Sequence, residues 1–364
     1  MATETPVLQP IKVTTPASPN LFQLFRQLTK NYVVRVMLQA IITIWAVITF
    51  TFFLIRLMPG NPVDVYVDFL MNQQSMTYDE AYSRAAQQFA FDPDANPITQ
   101  YVGYMGQLVR GDLGESITSP GTKVIDQILR FLPWTIFSVS WGLLSSFTLG
   151  AFLGTIMAYK RNTPIDQVLS FAASLFSAVP NYIWGLMIII IFGVQLNWFS
   201  VGTLRGTYDT GLTPGFNAEF LLSVLTHALL PVLVYVLGSV GGWMLNMRNS
   251  TISTLGEDYV NVARARGLTS GRILFAYVAR NAALPMFTLL AINIGFIIGG
   301  SVIIEELFVY KGIGSFLFWS ISQRDYTSMQ GVFLIITTSV VVSNVLADLL
   351  YSRLDPRVRI GAEK

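Results

Sequence analysis

Six stretches of this chain, at residues 33–57, 133–159, 168–198, 220–247, 282–304 and 327–351, are apolar over the length a helix needs to cross a bilayer. A helix rises about 1.5 Å per residue and the hydrocarbon core is about 30 Å thick, so about 20 apolar residues suffice. Inside lipid each backbone N–H and C=O must be satisfied within the protein, so runs of this kind are read as helices. Most of the six carry no Lys, Arg, Asp or Glu in their central part. The third is interrupted by "VPN" at 179–181, where proline removes a backbone donor and is expected to kink or break the helix. Composition agrees: charged residues make up 12% of the 364, about half the usual share of a soluble domain, and mean hydropathy is +0.53. The fold expected is an all-α polytopic membrane protein with six transmembrane helices.

Lys and Arg near the span ends set orientation. With the amino terminus inside, they divide fifteen to eight in favour of the inner segments. Nine acids (Asp64, Asp68, Asp79, Glu80, Asp92, Asp94, Asp112, Glu115 and Asp126) lie in the first outer segment. Both termini are therefore expected in the cytoplasm. Residues 1–32 read as a cytoplasmic leader, polar and rich in Pro and Thr, then an interfacial helix at 21–36. The first span follows at 33–58. Residues 59–132 are too long for a simple connection and read as a small external helical subdomain, with helices at 77–91 and from 98 to about 111. A five-helix core at 133–353 and a cytoplasmic tail at 354–364 complete the expected organisation.

Between the fourth and fifth spans stands "GEDYVNVARARGLTSGRILFAYVARNAALP", residues 256–285. Acids open a short helix, Ala263, Arg264, Ala265 and Arg266 propagate it, and Gly267 ends it. A second helix at 273–281 leads into the fifth span. Two readings are open from the residues alone. The loop is a positively charged topology signal, or it is a cytoplasmic knob where the small Ala263, Ala265 and Gly267 admit a partner's surface and the arginines meet its carboxylates.

This stretch resembles the cytoplasmic coupling-loop motif, the "EAA" region, of ABC-importer permeases in the form used by the dipeptide, oligopeptide and nickel permeases. Seven further strings resemble that family in order: "FLIRLMPGNP" (53–62), "RGDLGES" (110–116), "VPNYIWGL" (179–186), "THALLP" (226–231), "IIEELFVYKGIG" (303–314), "RDYTSMQG" (324–331) and "ADLLYSRLDPRVR" (347–359). The chain departs from the pattern in three places. Asn261 stands where the wider superfamily has Glu, Lys311 where proline is usual, and 59–96 is longer than the family's external stretch.

The resemblance implies a type I importer permease fold and a transport subunit with no catalysis of its own. It would lie in a bacterial cytoplasmic (inner) membrane beside a second homologous permease. Two cytoplasmic ATPases, binding ATP and Mg, would dock on the loop carrying Asp258, Tyr259, Ala263, Arg264, Arg266 and Gly267. An external solute-binding protein would deliver di- or oligopeptides. A nickel chelate or another small solute, and an ion-coupled secondary transporter, are the alternatives.

The chain contains no G-x-x-x-x-G-K-[ST] phosphate loop, no cysteine and one histidine, so ATP binding by that loop, thiolate sites and His-cluster metal sites are not expected. Nothing suggests a nucleic-acid partner. His227 reads as a hydrogen-bonded packing residue. Polar groups at membrane depth are costly, which makes Asn181, Gln195, Asn293 and Ser301 candidates for the solute path or for bonds between helices. Glu305 and Glu306 are open between meeting a cationic solute or binding protein and being solvated helix-end charges. Asp348 is open between proton relay and pairing with nearby arginines. The glycines of "GSVGG" (238–242) and "GFIIGG" (295–300) permit close helix approach.

Overall fold

A computed structural model describes residues 32–57, 75–89, 96–119, 121–200, 202–295 and 302–354, with isolated positions between 64 and 72 and at 297 and 299. All but the last residue of the leader expected at 1–32, all but the first of the tail expected at 354–364, and most of the interfacial helix at 21–36 lie outside the described residues.

In chain order the helices are α1 (Tyr32–Arg56), α2 (Tyr78–Phe89), α3 (Pro97–Val109), α4 (Val124–Tyr159), α5 (Pro164–Ala178), α6 (Asn181–Ile188), α7 (Ala218–Leu255), α8 (Asp258–Ala265), α9 (Ser270–Ala282), α10 (Leu284–Gly295), α11 (Val302–Leu307), α12 (Ile313–Ser322) and α13 (Tyr326–Leu354). A π-helical turn, Ile189–Gln195, prolongs α6, and α9 is π-wound over Ile273–Ala279.

Helices α1, α4, α7 and α13 are each long and apolar enough to cross a membrane. The remaining two expected spans are bent pairs, giving six when each pair is one span. The prolyl residue splits the third: Val179 is extended (φ −90°, ψ 122°), as a residue before proline tends to be, and α6 starts again at 99° to α5. The fifth is α9 continued by α10 at 44°.

Two helices overrun their expected limits. Helix α4 begins at Val124, not at 133, and keeps Pro133 inside it. Its extra turns persist because Val124 and Ile128 are buried against Ile313, Phe316 and Val332, with Phe131 stacked on Phe316 at 4.9 Å. The expected edge of the external subdomain at 132 therefore falls within one continuous helix. Helix α7 runs 38 residues, about 57 Å, so its ends stand beyond a hydrocarbon core of about 30 Å.

The centre of the bundle is the α4–α7 pair. Every fourth residue of α4 facing α7 is small: Ser138, Gly142, Ser146, Gly150 and Gly154, all buried. A Cβ on Gly142 would sit 2.5 Å from Tyr235 Cβ, and one on Gly150 or Gly154 would run into Trp243 or the Met244 carbonyl. Without a hydrophobic force between helices in lipid, close backbone approach supplies the packing energy. On other faces of α7, Gly241 admits the Ala173 carbonyl of α5 and Gly238 admits Asn181 of α6. Gly295 of α10 meets Ser343 of α13. Both glycine groups therefore lie at close helix contacts.

Polar ties fasten the two ends. At one, Arg248 of α7 donates from Nε and Nη2 to the two oxygens of buried Asp166 on α5, at 2.8 and 2.9 Å. At the other, buried Asp325 caps α13 by accepting from Ser328 N (3.0 Å), and it also accepts from Ile117 N and from the Ser116 and Thr118 hydroxyls. This second tie docks the end of the "RGDLGES" segment onto the last span. At the start of α2, Glu80 Oε2 accepts from Thr77 Oγ1 (2.9 Å) and from Thr77 N (3.2 Å), the second being one half of a capping box, and these bonds hold the Glu80 carboxyl below its ordinary range.

Candidate coupling surface and path residues

At the Arg248 end of the bundle, α8 and α9 form a knob around its own small core. Val260 and Ala263 of α8 are buried with Ile273 and Val278 of α9, closed over by Leu255 and Leu268. The turn between them is set by Gly267. Its φ of +73° lies in the left-handed region, where a side chain is strained. There Gly267 N donates to Arg264 O (2.9 Å) and Leu268 N to Ala263 O (3.3 Å), the two bonds of a Schellman cap. Leu268 completes the motif by packing against the Val260–Ala263 cluster.

This geometry sorts the expected loop residues. Asp258, Tyr259, Arg264, Arg266 and Gly267 are all exposed. Ala263 is 3% exposed and packs inward, so its small size fits the α8–α9 contact and not a partner's approach. Ala265 remains exposed. Tyr259 is braced by Asn281 Nδ2, which donates to its hydroxyl at 2.9 Å. Among the described residues neither Arg264 nor Arg266 is in an ion pair. Two apolar residues not singled out in the sequence, Val262 (51% exposed) and Phe275 (57%), share the exposed surface of the knob. They break the polar face that an exposed helix would otherwise show, and that break is legible in the sequence.

The knob is linked to the spans. Ser250 of α7 donates to the Ala282 carbonyl at 2.6 Å, and Ala282 and Met286 are buried with Trp243 and Met247 of α7. The α8–α9 unit is thus continuous with α7 and α10 through buried contacts, and α7 in turn packs on α4, α5 and α6.

The path candidates do not converge. Asn181 sits at the start of α6 against Gly238. Asn293 is exposed on α10 and donates to its own helix at Leu289 O (2.8 Å). Gln195 is exposed at the end of the π turn. Ser301 lies outside the described residues, as does the side chain of Asp348 in α13. Glu305 is fully buried, so it is not the solvated helix-end charge that one reading allowed. Its Oε1 accepts from Thr135 Oγ1 (2.7 Å) and its Oε2 from Gly314 N (2.7 Å) and Ser315 N (3.0 Å). Thr135 in turn accepts from Ile313 N at 2.8 Å. One carboxylate thus ties α11, α4 and the first turn of α12 together. Glu306 is exposed and borders an apolar cleft of about 260 Å³ with Tyr182, Leu186, Ile303, Leu307 and Phe318.

His227 is buried, with Nδ1 2.8 Å from Ser223 O, and stands as a packing residue. Among the described residues no group of three or more His, Asp or Glu is placed to hold a metal ion.

Comparison with known proteins agrees with the architecture. Residues 150–360 match the family model for the binding-protein-dependent transport system inner membrane component. The chain is 30% identical over 329 residues to the oligopeptide transport system permease protein AppB of Bacillus subtilis, covering 90% of this chain and 98% of that one. It is 32% identical over 330 residues to the di/tripeptide transport system permease protein DppB of Pseudomonas aeruginosa (87% and 95%). It is 30% identical over 344 residues to the dipeptide transport system permease protein DppB of Haemophilus influenzae (90% and 99%). The match spans the knob, the split third span and the Asp325 tie alike, and the chain belongs to the binding-protein-dependent inner-membrane component family, the multi-pass permeases of ABC transporters.

Proposed function

We propose that this chain is the membrane-spanning subunit of an ATP-driven importer and forms, with a second homologous permease, the passage for di- or oligopeptides. An external solute-binding protein delivers the peptide at the α2–α3 end. Two cytoplasmic ATPases, which hold ATP and Mg, seat on the α8–α9 knob through Asp258, Tyr259, Arg264, Arg266 and Gly267. Both termini, with residues 1–32 and 354–364, lie on the knob's side of the bacterial inner membrane, and 59–132 lie outside it.

The observation that carries this reading is the knob itself. It is an internally packed unit with Arg264 and Arg266 outside any ion pair among the described residues and two exposed apolar side chains, joined to α7 and α10 by buried contacts. A rigid lever outside the bilayer suits mechanical input from a partner, because a packed contact transmits displacement that a soft loop absorbs. The peptide substrate is supported by the names of the relatives, of which three are peptide permeases spanning nearly this whole chain. Nothing in the geometry favours a nickel chelate or an ion-coupled carrier.

The test is mild-detergent extraction of the full chain from its native membrane, with identification of what accompanies it. The expected result is a second six-span protein and ATPases carrying a phosphate loop, together with loss of peptide uptake when the chain is deleted. Recovery of the chain alone, with peptide uptake unchanged by its deletion, would refute the proposal.

A further inference from the structure

Helix α3, expected within the small external subdomain, leans on the first span. Tyr101 and Tyr104 flank buried Phe52 of α1, each ring 5.3 Å from it, and Tyr101 also stacks on Phe53 at 5.7 Å. The Tyr101 and Thr49 hydroxyls are hydrogen-bonded at 2.7 Å. The apolar part of α1 runs from Val33 to Ile55, about 35 Å, and Thr49 lies six residues, about 9 Å, before its outer end. Centred on a hydrocarbon layer of about 30 Å, Thr49 stands about 6 Å below the layer's surface. The part of α3 that touches it stands at that depth too.

Three features fit that position. Helix α3 has no charged residue in Pro97–Val109, and charge resumes at Arg110 as the chain returns toward the Ile55 level. Its amino terminus is closed by Asn96 Oδ1 accepting from Ile98 N (2.9 Å) and by Pro97, which has no donor to leave bare. Finally, Tyr101, Tyr104 and Leu108 form one stripe while Ile98, Val102, Met105 and Val109 form a second about a quarter turn away. In that second stripe Ile98, Val102 and Val109 are 66%, 64% and 86% exposed. Gln100, Gly103, Gly106 and Gln107 hold the remaining face. At 13 residues, about 20 Å, the helix is too short to cross.

We propose that α3 is a membrane-embedded helix lying in the outer leaflet, and that the Ile98–Val102–Val109 stripe is covered by lipid acyl chains. The occupant follows from continuity. The stripe adjoins the outward face of α1, where Phe50, Phe53 and Leu54 are exposed at the depth of the hydrocarbon. Exposed apolar side chains at that depth meet acyl chains, and an uncharged helix with satisfied ends costs little there. The helix thereby anchors the front of the external segment to the bilayer beside the first span. This inference rests on the membrane location of the chain and not on the identity of the solute.

The chain contains no cysteine, so single-cysteine variants each carry one spin label. Ile98→Cys, Val102→Cys and Gln107→Cys are made in the full chain, in the assembled transporter, in vesicles of phosphatidylethanolamine and phosphatidylglycerol. Collision of each nitroxide with oxygen, which concentrates in acyl chains, is compared with collision with a water-soluble nickel chelate. The expected result is an oxygen-to-nickel collision ratio higher at 98 and 102 than at 107. Nickel collision at 102 equal to that at 107 would place the stripe in water and overturn the proposal. Low collision with both reagents at 98 and 102 would place it under a second protein subunit and overturn it equally. Using two positions guards against one label disturbing the helix.

Discussion

Replacing Gly267 with alanine tests whether the knob depends on a left-handed cap. No atom lies within 4 Å of where a Cβ would stand, so collision contributes nothing. The cost is conformational: φ is +73°, and a left-handed residue with a Cβ is strained by about 1–2 kcal/mol. At RT of about 0.59 kcal/mol, that strain raises the population with an open cap about 5- to 30-fold. The bonds lost on opening are Gly267 N to Arg264 O and Leu268 N to Ala263 O. Hydrogen exchange over residues 263–274 of the full chain should therefore accelerate by about that factor in Gly267→Ala. Gly267→Asn should accelerate less, because asparagine tolerates the left-handed region. ATP-driven uptake should fall in the same order while the amount of chain in the membrane is unchanged. Equal exchange in the parent and Gly267→Ala would show that the cap is not what shapes the turn. Faster exchange in Asn than in Ala would show that strain is not the cause.

Three further outcomes test other parts of the structure. Arg264→Glu reverses an exposed, unpaired charge on the knob, so uptake should be lost with the thermal unfolding midpoint unchanged; full uptake would remove Arg264 from the coupling surface. Glu305→Ala strands Thr135 Oγ1, Gly314 N and Ser315 N, at about 1–3 kcal/mol for each donor left buried, and should lower the unfolding midpoint more than Glu305→Gln, which keeps one acceptor. The reverse order in detergent would mean that the carboxylate is not the clamp on α12. Gly150→Leu forces a side chain between α4 and Trp243 of α7, an overpacking worth about 1–3 kcal/mol, while Gly150→Ala should cost less. A Leu variant as stable as the parent, measured by thermal unfolding, would show that the two helices do not touch along the glycine stripe.

Much of the architecture could be read along the chain, because in lipid a long apolar run can be satisfied only as a helix. That argument located all six runs and the break at Pro180, and the ordered strings carried the family. The Gly267 turn and the two helices around it were also legible, since left-handed caps and helix formers are local properties. The stripe Ser138–Gly142–Ser146–Gly150–Gly154 was present in the sequence as a four-residue repeat, but a repeat does not name the helix it faces.

What the tertiary structure decided were matters of distance between parts far apart in the chain. The 99° turn at Val179 needed the seat that Gly238 and Gly241 offer on α7. The apolar run placed the start of the second span at 133, and only the burial of Val124 and Ile128 under α12 and α13 shows why the helix begins earlier and continues through Pro133. Glu305 stayed open between a solute contact and a solvated end charge because its three donors come from residues 135, 314 and 315. Ala263 read as a docking surface because nothing local reveals that Ile273 and Val278 fold over it. Asp325 caps α13 through a local bond, but its hold on Ser116 and Thr118 spans about two hundred residues. Local hydrogen bonding and hydropathy act over one helix turn, and so the sequence determined where helices form. Side-chain burial is decided by whichever neighbour arrives, and so packing alone settled which polar groups stay exposed and which are sealed inside.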